Sequence, residues 1–303
     1  MTARPDRLTR AAFLALALLS SGCSPEVEPD EVGPPAPATI LFLSDFGQKD
    51  GAVAVCKGVM LGIAPDARIM DLSHDVPAYD VENAAEVLEQ AVPFYPPGTV
   101  TVAVVDPGVG GERKSIAVRT KKGHLLVGPD NGIFTLVIDA EGLDRAVELR
   151  NRKYFLTPST SFTFHGRDVF SPVAAHLAAG VAIDSLGPAV TPVRLPIQRA
   201  RRVNGGIEGR VRYVEDPYGN VVTDIAPELL DSAGFDIGDT LRVTIGSRTV
   251  VLPWVNTFSD VATGAPLAVM HSRALLSFSL NMGDFAKIHG VKRGDRVTVS
   301  SRR

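Results

Sequence analysis

The chain has 303 residues, 31 basic and 34 acidic side chains, a net charge of −3 and 45% hydrophobic residues. That length suggests two domains, or one large one, after any leader is removed, and the hydrophobic share excludes a chain too polar to build a core. The charge balance excludes a bulk attraction to nucleic acid, and two cysteines, Cys23 and Cys56, exclude a disulfide framework and lack metal-ligand spacing.

The chain opens with Arg4, Arg7 and Arg10, then an apolar run from Ala11 to Leu19, then Ser20-Ser21-Gly22-Cys23. A basic stretch, a short apolar stretch and small residues at a cut site make a secretory signal. The run is shorter than the roughly 20 residues a membrane span needs. Residues 1–23 therefore read as a lipoprotein-type signal peptide with Cys23 as the lipidated residue, although Leu19 stands four places before the cysteine rather than the usual three. An ordinary cleaved signal is the alternative. The expected location is outside the cytoplasm, on the periplasmic or cell-surface side, held to the membrane by a lipid anchor only. Residues 24–38 carry Pro25, Pro29, Pro34, Pro35 and Pro37 among several acids, a composition that reads as a tether.

Short apolar runs follow at Thr39–Ser44, Ala67–Leu72, Val100–Val105 and His124–Val127, each ending near Asp, Gly or Pro. They read as buried strands of a mainly parallel sheet. Helical patterns lie at Ala52–Ala64, Val81–Val92 and Val169–Ala179. Cys56 falls in the first of these and reads as a buried small hydrophobe. Alternating strands and helices predict an α/β domain over 39–195. The proline-punctuated stretch Pro188–Arg202 reads as a connector. Beyond it, short strands at Ile207–Val214, Thr240–Ile245, Thr249–Leu252, Ala274–Phe278 and Arg296–Val299 predict an all-β, barrel-like domain over 203–303.

In open α/β sheets, ligands bind outside the carboxyl ends of the strands. Asp45, Asp50, His74, Asp75, Asp106 and Asp130 cluster at such ends. In Val104-Val105-Asp106-Pro107-Gly108-Val109-Gly110-Gly111-Glu112-Arg113, a carboxylate leaves a strand into a glycine-rich turn and a guanidinium returns seven residues later. The glycines allow positive φ and close approach of the backbone to a ligand, but the Gly-Lys-Ser/Thr ending of a phosphate loop is missing. A plain turn is the alternative. Thr163-Phe164-His165-Gly166-Arg167-Asp168 places a histidine, able to hold or accept a proton near neutral pH, in a polar loop. The segment from Leu43 to Gly51 holds Asp45, a carboxylate able to accept from two vicinal ribose hydroxyls. Gly128-Pro129-Asp130-Asn131-Gly132 and Asp216-Pro217-Tyr218-Gly219-Asn220 read equally well as turns. A metal hydrolase is a weak contender, because no tight ligand spacing such as His-x-x-x-His occurs.

Taken in order, these five segments resemble the S-adenosylmethionine hydroxide adenosyltransferases, which share their fold with the fluorinase and chlorinase enzymes. The resemblance runs from Ile40 to Val299. It implies an α/β N-terminal domain, a β-barrel C-terminal domain and a homotrimer with sites between one subunit's N-terminal domain and its neighbour's C-terminal domain. It implies cleavage of S-adenosylmethionine by water into adenosine and methionine, with no cofactor and no metal. The water-using branch has Asp106, Arg113 and His165 at the reacting centre. The halogenases have an aromatic residue in place of the aspartate, and Tyr-Ser or Tyr-Gly where His165-Gly166 stands. By the same resemblance Asp45 would hold the ribose hydroxyls and Tyr79 would pack beside the nucleoside. Asp216, Ser272 and Arg273 would meet the methionine end, Asp50 less directly. Tyr218 and Asn220 would cover the adenine face and edge. His271, where the family more often has Asn, and Val269, in place of a common aromatic, depart from the pattern. Two other readings remain at this point, a non-catalytic binding lipoprotein for S-adenosylmethionine or related 5′-substituted adenosines, and a halogenase.

Overall fold

The computed structural model describes residues 38–156 and 161–301. The leader with Cys23 and the tether up to Pro37 lie outside the described residues. The chain divides into two compact units between Arg194 and Leu195.

The first unit contains, in chain order, β1 (Thr39–Ser44), α1 (Ala52–Ile63), β2 (Arg68–Ser73), α2 (Val81–Ala91), β3 (Val100–Val104), β4 (Ser115–Thr120), β5 (Leu125–Pro129), α3 (Thr135–Glu141), β6 (Leu143–Glu148) and α4 (Ser171–Ala178). The strands form one sheet in the order β2-β1-β3-β5-β4-β6. The four strands from β2 to β5 are mutually parallel, and β4 runs antiparallel to both β5 and β6. The sheet is thus mainly parallel, as expected.

Side chains alternate across a strand, and the core shows it. Ile40, Phe42, Val100 and Val102 pack with α1 and α4 on one face, while Leu43 and Ala103 pack with α2 and α3 on the other. Burial on both faces is why β1 and β3 are continuous apolar runs. Cys56 is buried on α1, and burial pushes its thiol up to about 11 against the opposing Ser171 hydroxyl. It is an inert core residue.

The second unit contains β7 (Arg201–Val203), β8 (Gly206–Glu215), β9 (Asn220–Thr223), α5 (Pro227–Ala233), β10 (Thr240–Ile245), β11 (Arg248–Pro253), β12 (Pro266–Met270), β13 (Leu276–Leu280), α6 (Phe285–His289) and β14 (Arg296–Ser301). The strands pair antiparallel in the order β11-β10-β14-β8-β9-β13-β12, with β7 beside β8. A bridge between Trp254 and Ala268 joins the two ends of that path, so the sheet is nearly closed around its core. This removes most of the free edge that an open antiparallel sheet would expose.

Candidate active site

Parallel strands deliver their carboxyl ends to one edge of a sheet. Ser44 of β1 registers with Val104 of β3, so Asp45 and the Val105-Asp106 segment emerge side by side. The ends of β2 and β5 release His74 and Asp130-Asn131 at the same edge. All the strand-end candidates therefore gather in one region of the first unit.

Asp106 and Arg113 are an ion pair across the glycine-rich turn, with 5% of the aspartate side chain and 19% of the arginine side chain exposed. The aspartate's Oδ1 faces the guanidinium and also accepts from the Gly108 amide at 3.4 Å. Its Oδ2 is buried with no hydrogen-bond partner among the described residues, and so is Arg113 Nε. Burial pushes the Asp106 carboxyl above its ordinary value, while Arg113, the Gly108 amide and His165 pull against it. Burial likewise pushes His165 below its ordinary value; Asp106 raises it and Arg113 lowers it further. Each group feels the other's charge, so Asp106, Arg113 and His165 form one electrostatic unit.

One glycine of the motif, Gly110, is enclosed by the chain itself. Gly110 has φ +77°, and a Cβ there would stand 2.1 Å from the Phe162 carbonyl oxygen. The close approach is to the chain itself, the loop that leads into His165. Gly166 is similarly enclosed, with Phe46 Cζ 2.9 Å from where its Cβ would be. Phe46 and Phe164 stack edge to face at 5.7 Å. The loop after β1 and the loop carrying His165 are thereby packed together.

His165 leads into a single π-helical turn, Gly166–Phe170, that runs into α4. Such turns recur at functional sites. Asp168 within it is fully buried. It accepts from Arg167 Nε at 2.5 Å and Nη2 at 3.0 Å, and from the Ser161 amide at 2.5 Å. Burial would raise its carboxyl, but Arg167 and the Ser161 amide outweigh that and hold it below the usual range. An ionised Asp168 thus ties the segment before His165 to the helix after it.

The other strand-end groups divide by task. Asp45 Oδ2 accepts from the Tyr79 amide at 3.0 Å. Tyr79 is 72% exposed and has φ +69°, a conformation a tyrosine rarely adopts. Asp50 is exposed, and its carboxylate accepts from the Ala52 amide at the start of α1. Ser44 Oγ meets His74 Nδ1 at 2.7 Å, and His74 Nε2 lies 3.0 Å from Asp71, which Lys57 holds at 2.6 Å. This Ser-His-Asp series is not a nucleophile site, because Ser44 is fully buried. It braces the strand end that carries Asp45, and the Gly47 amide bonds the His74 carbonyl at 2.8 Å. Asn131, which reads as a turn residue, donates from Nδ2 to the Val105 carbonyl at 2.8 Å and so fixes the residue before Asp106. Asp130 accepts from the Val193 amide at 2.8 Å.

In the second unit, Asp216–Gly219 is the hairpin turn between β8 and β9, with Asp216 exposed and Tyr218 68% exposed. Ser272 and Arg273 lie in the turn between β12 and β13. Asn220 and His271 both bond Glu215, at 2.9 Å each. Glu215 was not legible as a site residue, since nothing but its place beside Asp216 distinguishes it. Among the described residues, no group of three or more His, Cys, Asp or Glu side chains is arranged to hold a metal ion.

Comparison with known proteins places the chain among relatives along both units. The family model of the SAM hydroxide adenosyltransferase N-terminal domain matches residues 40–187, and that of the C-terminal domain matches residues 209–298. A Salinispora tropica protein named (R)-S-adenosyl-L-methionine hydrolase is 43% identical over 269 residues, covering 86% of this chain and 97% of its own. A Thermus thermophilus protein of the same name is 40% identical, with 86% and 98% covered. A fluorinase from an Actinoplanes species is 32% identical over 289 residues, with 86% and 97% covered. The crystal structure of an uncharacterized conserved protein from Thermotoga maritima superimposes with a TM-score of 0.82 at 37% identity, covering 86% of this chain and 99% of that one.

Proposed function

The chain belongs to the SAM hydroxide adenosyltransferase family, and from that premise we propose that it hydrolyses S-adenosyl-L-methionine to adenosine and L-methionine by attack of water at the ribose C5′. The observation that carries the reading is the Asp106–Arg113–His165 unit, with a buried Asp106 Oδ2 left to accept a hydrogen bond. Water is a poor nucleophile and must be oriented and relieved of a proton as it attacks. His165, held below its ordinary value by burial, is neutral and able to take that proton near pH 7. Asp106 orients the water or the imidazolium that forms, and Arg113 keeps Asp106 in place.

The bonds balance simply. The water oxygen bonds to C5′, the C5′–S bond breaks, and its electron pair stays on sulfur as the methionine thioether. One water proton goes to His165. A sulfonium is already an activated leaving group, so alignment of water and C5′ supplies much of the remaining acceleration. Asp45 takes the ribose hydroxyls, Tyr79 and Tyr218 flank the nucleoside, Asn220 reads the adenine edge, and Asp216, Ser272 and Arg273 take the methionine end, with Asp50 near it. The relatives at 40 to 43% identity carry the name of the (R) epimer, so the (R)-sulfonium is the first substrate to test.

The chain works as a homotrimer with sites between subunits, and it is exported and held to the membrane through lipidated Cys23. The leader sequence supports the export, and loss of labelled acyl chain in a Cys23→Ser variant tests it. The fluorinase relative makes halide the second nucleophile to try. Purified protein incubated with S-adenosyl-L-methionine, with and without chloride, should release adenosine and methionine in both buffers. Formation of 5′-chloroadenosine would reassign the nucleophile. Bound but unchanged substrate would make the chain a binding protein.

A further inference from the structure

Glu215, at the end of β8, is held from two sides: Oε2 by Asn220 Nδ2 and Oε1 by His271 Nε2, each at 2.9 Å. The other imidazole nitrogen, Nδ1, accepts from the Arg273 amide at 3.3 Å. An amide can only donate, so Nδ1 is the acceptor in that contact and Nε2 is the nitrogen that faces Glu215. Burial would raise the Glu215 carboxyl, but Asn220 and His271 outweigh that and keep it below the usual range, an ionised acceptor. The turn itself is tight: the His271 amide bonds the Leu275 carbonyl at 2.8 Å, and Ala274 has φ +53°. Arg273 lies over the Tyr213 ring at 5.1 Å, and Tyr213 stands edge-on to His271 at 6.1 Å. One imidazole therefore links the Ser272-Arg273 turn to the strand end that precedes Asp216.

We propose that His271 is a positioning residue for the amino-acid end of the substrate: its ring ties the Ser272-Arg273 turn to Glu215. The proposal rests on the substrate reading given above.

The test measures KM and kcat for S-adenosyl-L-methionine with the full chain. Wild type, His271→Leu and His271→Asn are compared. At neutral pH, His271→Leu should raise KM about two- to tenfold, the worth of one hydrogen bond, with kcat nearly unchanged. His271→Asn keeps an acceptor where Nδ1 stood and should rescue most of that loss. Inhibition by adenosine, which lacks the amino-acid end, should be the same in all three. Equal KM in His271→Leu and wild type, no rescue by His271→Asn, or a matching loss of adenosine affinity would overturn the proposal. If wild type binds the substrate without turning it over, the hydrolase reading falls, and the same comparisons made on Kd still decide the role of His271.

Discussion

The two units present their polar groups in opposite ways. In the first, Asp106 is 5% exposed at its side chain, and the loops around it are packed by Gly110, Gly166 and Phe46. In the second, Tyr218 is 68% exposed, and Asp216 and Ser272 stand on open turns. Burial is what shifts Asp106 and His165 from their ordinary values, and shifted groups are what proton transfer near neutral pH requires. Open turns offer contacts. On the proposed function, the contrast puts the proton chemistry in the first unit and the methionine and adenine contacts in the second, so substitutions at Asp106 and His165 should move kcat and those at Asp216 and Tyr218 should move KM.

The largest effect is expected at the proton acceptor. His165→Ala should lower kcat about 10²- to 10⁴-fold with KM changed little. Turnover like wild type would sink the proposed mechanism. Asp106→Asn should cost about 10²-fold in kcat, because Arg113 then loses its counter-charge and the water its orienting oxygen.

Packing offers a sharper comparison within the first unit. Gly110→Ala meets both a positive φ and a backbone oxygen 2.1 Å away, whereas Gly47→Ala, at φ +70°, meets nothing within 4 Å. The first should destabilise by about 2–3 kcal/mol and lower kcat as well. The second should cost about 1–2 kcal/mol. Thermal unfolding of the two variants would decide this. Similar midpoints would mean that Phe162 gives way and that the glycine does not hold the loops together.

Smaller effects belong to the second unit. Asp216→Asn and Tyr218→Ala should raise KM about three- to tenfold while kcat holds, as expected when uniform binding is lost. A kcat loss larger than the KM change would erase the division of labour. The subtlest test is the acid limb of kcat/KM. Because burial lowers His165, activity should be lost only as the pH falls through a value below that of an ordinary histidine. Removing the Asp106 charge removes a pull that raises His165, so Asp106→Asn should move the limb to still lower pH. A limb that moves upward would show that another group titrates.

Much of the fold was legible because its signals are local. β1 and α1 begin where the apolar runs predicted, since a strand buried on both faces has to be apolar throughout. Three elements of the first unit, β4, α3 and β6, gave no reading. β6, Leu143–Glu148, sits at the sheet edge and carries three charged residues in six, with Ala146 and Val147 buried on its opposite faces. In the second unit the strand expected at Ala274–Phe278 begins instead at Leu276. Ala274 lies in a left-handed turn whose bonds join His271 to Leu275, a contact no β-propensity reports.

The sequence by itself determined the alternation of buried strands and helices, the all-β texture after the connector, and the identity of the groups at the strand ends. Those follow from periodicity and residue chemistry, which each short segment carries alone. Only the tertiary structure decided what the groups do to one another. It showed that Gly110 packs against the Phe162 loop, that Ser44 and His74 brace a strand rather than attack, and that Glu215 and His271 share one bond. Burial and charge coupling depend on neighbours far apart in the chain, and folding alone brings those neighbours within reach.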